Sequence, residues 1–411
     1  MKDRLCHMTY RFSDRIAHIK PSAIREILKA PADADTISFA AGNPAAESFP
    51  VREMAEIAAD LFANHASAAL QYGVSDGYLP LRECIAKRQK EVWNIGKSVS
   101  AGDKFNDSTI IVSGGTQGIE LACKILCNEG ESVICENPSF VGALNSFRST
   151  VSARTIGVPL LEDGPDIAEL ERVLDHTKDA HLLYLIPTFQ NPAGLTTSLA
   201  KRKAIYEIAL RHHVIILEDN PYGELRFSGE EIPTIKSMDT EGIVIYCSSL
   251  SKILSAGMRI GFIVAPEDIT AKMVVAKQSE DVHSNLFFQM LCHKFMTEYD
   301  LDAHIEKIRA IYRRKCGLML SCLDREVPSW LHYTRPEGGL FIWCTLPASV
   351  PMNEFVRACM DVKLRVVPGT TFNCDTEAPS QSFRINYSTP SDSQIEEGCR
   401  RLGAVARSFS K

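Results

Sequence analysis

The chain has 411 residues, 45% of them hydrophobic and 23% charged, which suits a globular enzyme with room for two domains. A formal net charge of −6 argues against a nucleic-acid partner. No apolar run approaches membrane-spanning length and the N-terminus leads into no signal-peptide core, so no membrane partner and a cytoplasmic location are expected.

Residues 1–45 pair a short amphipathic helix (Ala23, Ile24, Ile27, Leu28) with an extended stretch. Met54, Ile57, Ala58, Leu61 and Phe62 repeat at helical spacing. From residue 109 to about 266, strand-like runs alternate with helical ones: 109–112, 132–135, 181–187, 214–219, 243–248 and 259–265. That alternation predicts an α/β fold, with a parallel or mixed sheet covered by helices on both faces. Two long helical patterns follow, at roughly 268–297 and 300–325. The remainder is α+β in character. Strands at Phe341-Ile342-Trp343 and Leu364–Val367 flank a helix from Met352 to Met360, Arg384 lies on a third strand, and a final helix runs from about Ser391 to Ala406. A domain boundary is expected near residue 300, inside the long helical region. Thirteen cysteines include no C-x-x-C pair; Cys123, Cys127, Cys135 and Cys247 sit in apolar contexts. They read as reduced core thiols, with neither disulfides nor a metal expected. His212-His213 reads as a polar helix end rather than a ligand pair.

The stretch Ser248-Ser249-Leu250-Ser251-Lys252 carries the most chemistry. Its lysine ends a buried-looking strand, where an unpaired ammonium is costly. Such a lysine suits covalent use with a carbonyl cofactor. Seven residues on, Arg259 offers a planar fork of donors for a phosphate handle, joined by the hydroxyls of Ser249 and Ser251. Lysine, phosphate donors and an acid for a ring nitrogen together match pyridoxal 5′-phosphate (PLP). The acid is Asp219, at the end of the apolar run Val214–Leu217, where open α/β sheets bind ligands. Tyr222, three residues on, can reach the ring's 3-oxygen. Read alone, Asp219-Asn220-Pro221 is an ordinary turn; read with Lys252 it is a site. Thr109–Val112 runs into Ser113-Gly114-Gly115-Thr116, then a helical pattern. The glycines admit a phosphate to a helix N-terminus, although a plain strand-to-helix connection looks the same and the P-loop lysine is missing. His181–Pro187 leads to Asn191-Pro192, where Asn191 can donate to the ring's 3-oxygen or simply start a turn.

These segments, in this order, resemble the fold-type-I PLP-dependent aminotransferases of class I/II. The similarity is strongest to the 2-aminoadipate, kynurenine and aromatic aminotransferase subgroup, and to the aminotransferase-like domain of MocR-type regulators. Thr36–Pro44, Gln71-Tyr72-Gly73, Asn137-Pro138-Ser139-Phe140 and Ser382-Phe383-Arg384-Ile385 extend the match over nearly the whole chain. The resemblance implies a fold-type-I transferase. Residues 46–300 would form a large PLP-binding domain, residues 301–411 a smaller α+β domain, and residues 1–45 an arm contributing to the small domain and the substrate pocket. It implies Lys252, Asp219 and Tyr222 as catalytic residues. Gly115, Thr116, Ser249, Ser251 and Arg259 would cradle the phosphate, Phe140 would stack on the ring, and Asn191 and Tyr222 would contact its 3-oxygen. Tyr72 would reach the cofactor phosphate of a neighbouring subunit, making a homodimer with shared sites. Arg384, Asn191 and Gly42 would meet the substrate, and Arg25, from the short N-terminal helix, would lie over its side chain or face solvent. Phe140 stands where many relatives carry tyrosine, and Gly115 where close relatives often carry serine. The implied reaction moves an amino group from an α-amino acid to a 2-oxo acid, 2-oxoglutarate being the expected acceptor. A C–S β-lyase, a decarboxylase and a PLP-sensing regulatory domain are the alternatives.

Overall fold

The computed structural model describes residues 10–17, 19 and 35–410. The short helix expected around Ala23–Leu28, with Arg25, lies outside them. In chain order the strands are β1 Ile37–Ser38, β2 Asp107–Val112, β3 Ser132–Asn137, β4 Arg154–Leu161, β5 Gly164–Pro165, β6 Ala180–Leu185 and β7 Ile215–Asp219. They continue with β8 Val244–Ser249, β9 Gly261–Pro266, β10 His332–Tyr333, β11 Phe341–Thr345, β12 Leu364–Arg365, β13 Val367–Pro368 and β14 Ser382–Asn386.

Eight of them form the central sheet, in the order β2-β9-β8-β7-β6-β3-β4-β5. β8, β7, β6, β3 and β4 run parallel, while β9 is antiparallel to both its neighbours and β5 to β4. Side chains alternate faces along each strand. Leu182, Tyr184, Leu217 and Ile245 enter one apolar core; Leu183, Leu185, Ile216 and Val244 enter another across the sheet. Burial on both faces explains the near-continuous hydrophobic runs in the sequence. Helices between the strands start on side-chain caps where the sequence supplies them. Asp166 accepts from Glu169 N, and Ser198 from Lys201 N.

A second sheet, β10-β11-β14-β13, is built from residues 332–386. The helix Asp392–Ser408, opened by a Ser391/Gln394 capping box, packs on the long helix Leu301–Glu326. β1 pairs in parallel with β12, tying residues 37–38 to this C-terminal part.

Several elements depart from the sequence reading, among them Leu364–Val367, expected as one strand and divided between β12 and β13 on different sheets. β4 was not expected; Gly157 and Pro159 interrupt its apolar pattern. The strand expected at 259–265 starts at Gly261, because Arg259 adopts a left-handed φ of 56° after a short 3-10 turn. The helix expected over 268–297 is two helices, Glu267–Gln278 and Leu286–Glu298. Val282, with a φ of 63°, sits in the break, and Asn285 caps the second helix through Phe288 N. Among the described residues no helix is long and apolar enough to cross a membrane, and no cluster of His, Cys, Asp and Glu could hold a metal.

Candidate active site

The carboxyl ends of the parallel strands open into a cavity of about 290 Å³. Twelve residues singled out from the sequence line it: Gly42, Gly115, Thr116, Phe140, Asn191, Asp219, Tyr222, Ser249, Ser251, Lys252, Arg259 and Arg384. Residues that are 342 positions apart in the chain (42 and 384) thus meet in one pocket. Tyr72 lies outside this cavity, 80% exposed, with its ring edge-on to His283 at 5.8 Å.

Lys252 follows β8 and its Nζ donates to the Gly42 carbonyl at 2.9 Å. Burial, then the nearby Arg384 and Arg259 charges, lower its pKa to about 8. Asp219 ends β7 and is almost fully buried. Burial raises its pKa to about 7, opposed by the Tyr184 hydroxyl, which donates to Oδ2 at 2.7 Å. Tyr222 is buried beside it, and burial pushes its phenol well up.

Arg384 projects from β14 and is only 2% exposed. Its guanidinium lies 4.1 Å from the Phe341 ring centroid and 4.9 Å from that of Phe372. Nη1 donates to Asn191 Oδ1 at 2.7 Å and Nη2 to the Ala40 carbonyl at 2.9 Å; buried Nε has no acceptor among the described residues. Burial lowers its pKa to about 10. With Oδ1 committed to Arg384, the Asn191 amide nitrogen remains the group to face a ligand.

The end of the cavity at the Gly114 turn is equally specific. The helix Gly115–Leu126 begins at the cavity, so its first N–H groups and positive dipole end face the ligand space. Gly114 has a φ of 80°, and a Cβ there would come within 2.0 Å of Arg259 Nη2. Only glycine lets the guanidinium lie so close. Arg259 Nη2 donates to the Ser113 carbonyl at 3.3 Å. Ser249 Oγ donates to Ser251 Oγ at 2.6 Å, which fixes both hydroxyls beside the turn. N–H groups, hydroxyls and an arginine fork fit a phosphate. A lysine, a buried carboxylate and an aromatic face fit the rest of PLP.

Sequence reasoning missed the residues that hold these groups. Tyr184 orients Asp219; its hydroxyl inside the aliphatic run Leu182–Ile186 was the available signal. Glu136 is buried, and burial raises its pKa to about 7. Its Oε2 accepts from Ile186 N at 3.0 Å and Gln190 Nε2 at 3.2 Å, steadying the turn that carries Asn191. No local pattern announces Glu136, because its partners lie some fifty residues away.

Comparison with known proteins agrees with this geometry. Residues 34–402 match the family described as aminotransferase class I and II. The chain is 36% identical to an aromatic-amino-acid aminotransferase of Thermococcus litoralis, covering 97% of this chain and 95% of that one. It is 37% identical to a 2-aminoadipate transaminase of Thermus thermophilus, covering 96% of each. It superimposes on the kynurenine aminotransferase of Pyrococcus horikoshii, solved with PMP, at a TM-score of 0.91 and 34% identity, covering 97% of this chain and 98% of that one. The fold is therefore that of the fold-type-I PLP enzymes, and the chain belongs to the PLP-dependent class I and II aminotransferases.

Proposed function

We propose that this aminotransferase takes α-amino acids of the aminoadipate, aromatic, kynurenine or branched-chain type and uses 2-oxoglutarate as acceptor. One observation supports the reading above all: Arg384, buried in the same cavity as Lys252 and paired with no carboxylate among the described residues. A guanidinium so placed suits the α-carboxylate common to amino acids and 2-oxo acids.

PLP, when bound, supplies an aldehyde for the substrate amine and a ring that absorbs the electron pair left at Cα. Lys252 would hold that aldehyde, and its free amine would remove the Cα proton as base and return a proton as acid. Burial lowers the lysine's pKa, which favours the neutral amine that this role needs. Asp219 would supply the counter-charge to the ring nitrogen, and Tyr222 with Asn191 would hold the 3-oxygen. Phe140 would cover the ring face. Gly115, Thr116, Ser249, Ser251 and Arg259 would take the phosphate, and Arg384 and Gly42 would orient the substrate.

We read the functional unit as a homodimer. Leu70, Tyr72 and Val74 are exposed in one segment, and exposed Phe62 stacks on Phe287 nearby. An apolar surface of this kind suits a second copy. Tyr72 would then complete the partner's phosphate site. The buried free thiols suit a reducing, cytoplasmic setting.

Two experiments test this. A panel of amino acids with 2-oxoglutarate should give glutamate and the matching 2-oxo acid; turnover with none of the four classes would remove the substrate reading. Mixing Tyr72→Ala with Lys252→Ala, each inactive alone, should restore part of the activity. A fully active monomer in sedimentation would exclude shared sites.

A further inference from the structure

The break between the helices Glu267–Gln278 and Leu286–Glu298 turns polar side chains inward rather than outward. Ser284 is 2% exposed and Lys277 is fully buried. Asp281 Oδ2 accepts from Ser113 Oγ at 2.9 Å, while Oδ1 takes Lys277 Nζ at 2.5 Å. Ser284 Oγ lies 3.1 Å from Ser113 Oγ. Ser113 N donates to Gln117 Oε1 at 2.7 Å, and the Ser113 carbonyl accepts from Arg259 Nη2 at 3.3 Å. All three polar groups of Ser113 are thus committed, and this residue immediately precedes the Gly114 turn.

We propose that Asp281 is a positioning residue for the phosphate grip, acting through Ser113 on the Gly114–Thr116 turn and on Arg259. The proposal rests on the PLP reading of the cavity. Backbone N–H groups and a guanidinium grip a phosphate only if they converge on it, and small displacements are costly. The close approach of Arg259 to Gly114 means that the turn and the guanidinium move together. Burial alone would disfavour ionised Asp281. Bonds from Lys277, Gln117 and Ser113 outweigh it and hold the carboxyl below its ordinary range. A charged acceptor therefore stands behind Ser113, and it is stronger than a neutral one. The same break also anchors the segment bearing Tyr72. Gln289 Nε2 donates to the Ser284 carbonyl at 2.8 Å, and its Oε1 accepts from Tyr78 N at 2.7 Å.

The test is phosphate-selective binding. Ser113→Ala removes the linking hydroxyl and keeps the Lys277–Asp281 pair; Asp281→Asn removes the charge. Each variant and the wild type are stripped of cofactor and titrated by absorbance with PLP and with pyridoxal, which lacks the phosphate. PLP affinity should fall about tenfold in both variants, equivalent to ~1.4 kcal/mol, with pyridoxal affinity changed by less than about twofold. Unchanged PLP affinity would overturn the proposal, and so would a parallel loss for both ligands, which indicates general loosening. If Asp281→Asn fails to fold because Lys277 is left unpaired, Ser113→Ala decides. Wild type that binds PLP no tighter than pyridoxal would instead remove the phosphate reading itself, a separate result.

Discussion

Replacing Tyr184 by Phe isolates the electrostatics of Asp219. The substitution keeps the buried ring and removes the one hydroxyl that donates to Oδ2, at 2.7 Å. A hydrogen bond to a charged acceptor is worth about 1.5–3 kcal/mol. At 1.36 kcal/mol per pK unit, that is a rise of roughly one to two units in the Asp219 pKa. Burial already raises the wild-type value to about 7, so the variant should titrate higher still without cofactor, by roughly one to two units. The sign for stability follows. A carboxyl raised in the folded state binds more protons there than in the unfolded chain. Its ionisation therefore weakens the apoenzyme as pH climbs from the unfolded pKa toward about 7, and the loss then levels off. In Tyr184→Phe the loss continues about one to two units further. Infrared difference spectra of the protonated carboxyl band, with Asp219→Asn as subtraction, read the titration directly. The same midpoint in wild type and variant would refute the reasoning.

Lys252→Ala should abolish transamination and the visible absorption of the lysine-bound cofactor while leaving phosphate contacts able to retain PLP; an active variant with that absorption intact would sink the assignment. Arg384→Lys should raise KM for amino acids and 2-oxo acids alike, by roughly tenfold or more, because an ammonium cannot reproduce two parallel bonds to a carboxylate. An effect confined to one substrate class would move Arg384 to the side-chain pocket.

The legible parts of this site were those carried by short local patterns. Lys252 and Asp219 each end an apolar run, and strand ends are where open sheets place ligands. Gly114-Gly115 before a helical pattern signalled an anion site for the same reason. The illegible parts depend on contacts distant in the chain. Arg259 looked like a strand residue because Ile260 and Phe262 flank it. Its φ is left-handed and its guanidinium lies against Gly114, a placement that no periodicity records. Asp281 sat inside what read as one long helix. Its pairing with Ser113, 168 positions away, draws the chain inward there. Tyr184 read as a member of a buried strand and Glu136 fell just past the run at 132–135; only the folded sheet gives them partners.

The charges of the cavity are fitted to ligands more than to one another. Lys252, Arg259 and Arg384 share its wall, and the two arginines help to lower the lysine's pKa. Arg384 is itself held below its ordinary range by burial, and Asp219 above its own. Each shift means that the protein has left that group short of solvation or of counter-charge. A carboxylate on Arg384 and a phosphate beside Arg259 would cancel the two repulsions acting on Lys252. A positive ring nitrogen would supply the counter-charge that buried Asp219 lacks. Ligand binding and proton affinity are therefore linked. An anion at Arg384 raises the lysine's pKa, so protonation of Lys252 must in turn tighten the hold on anionic substrates.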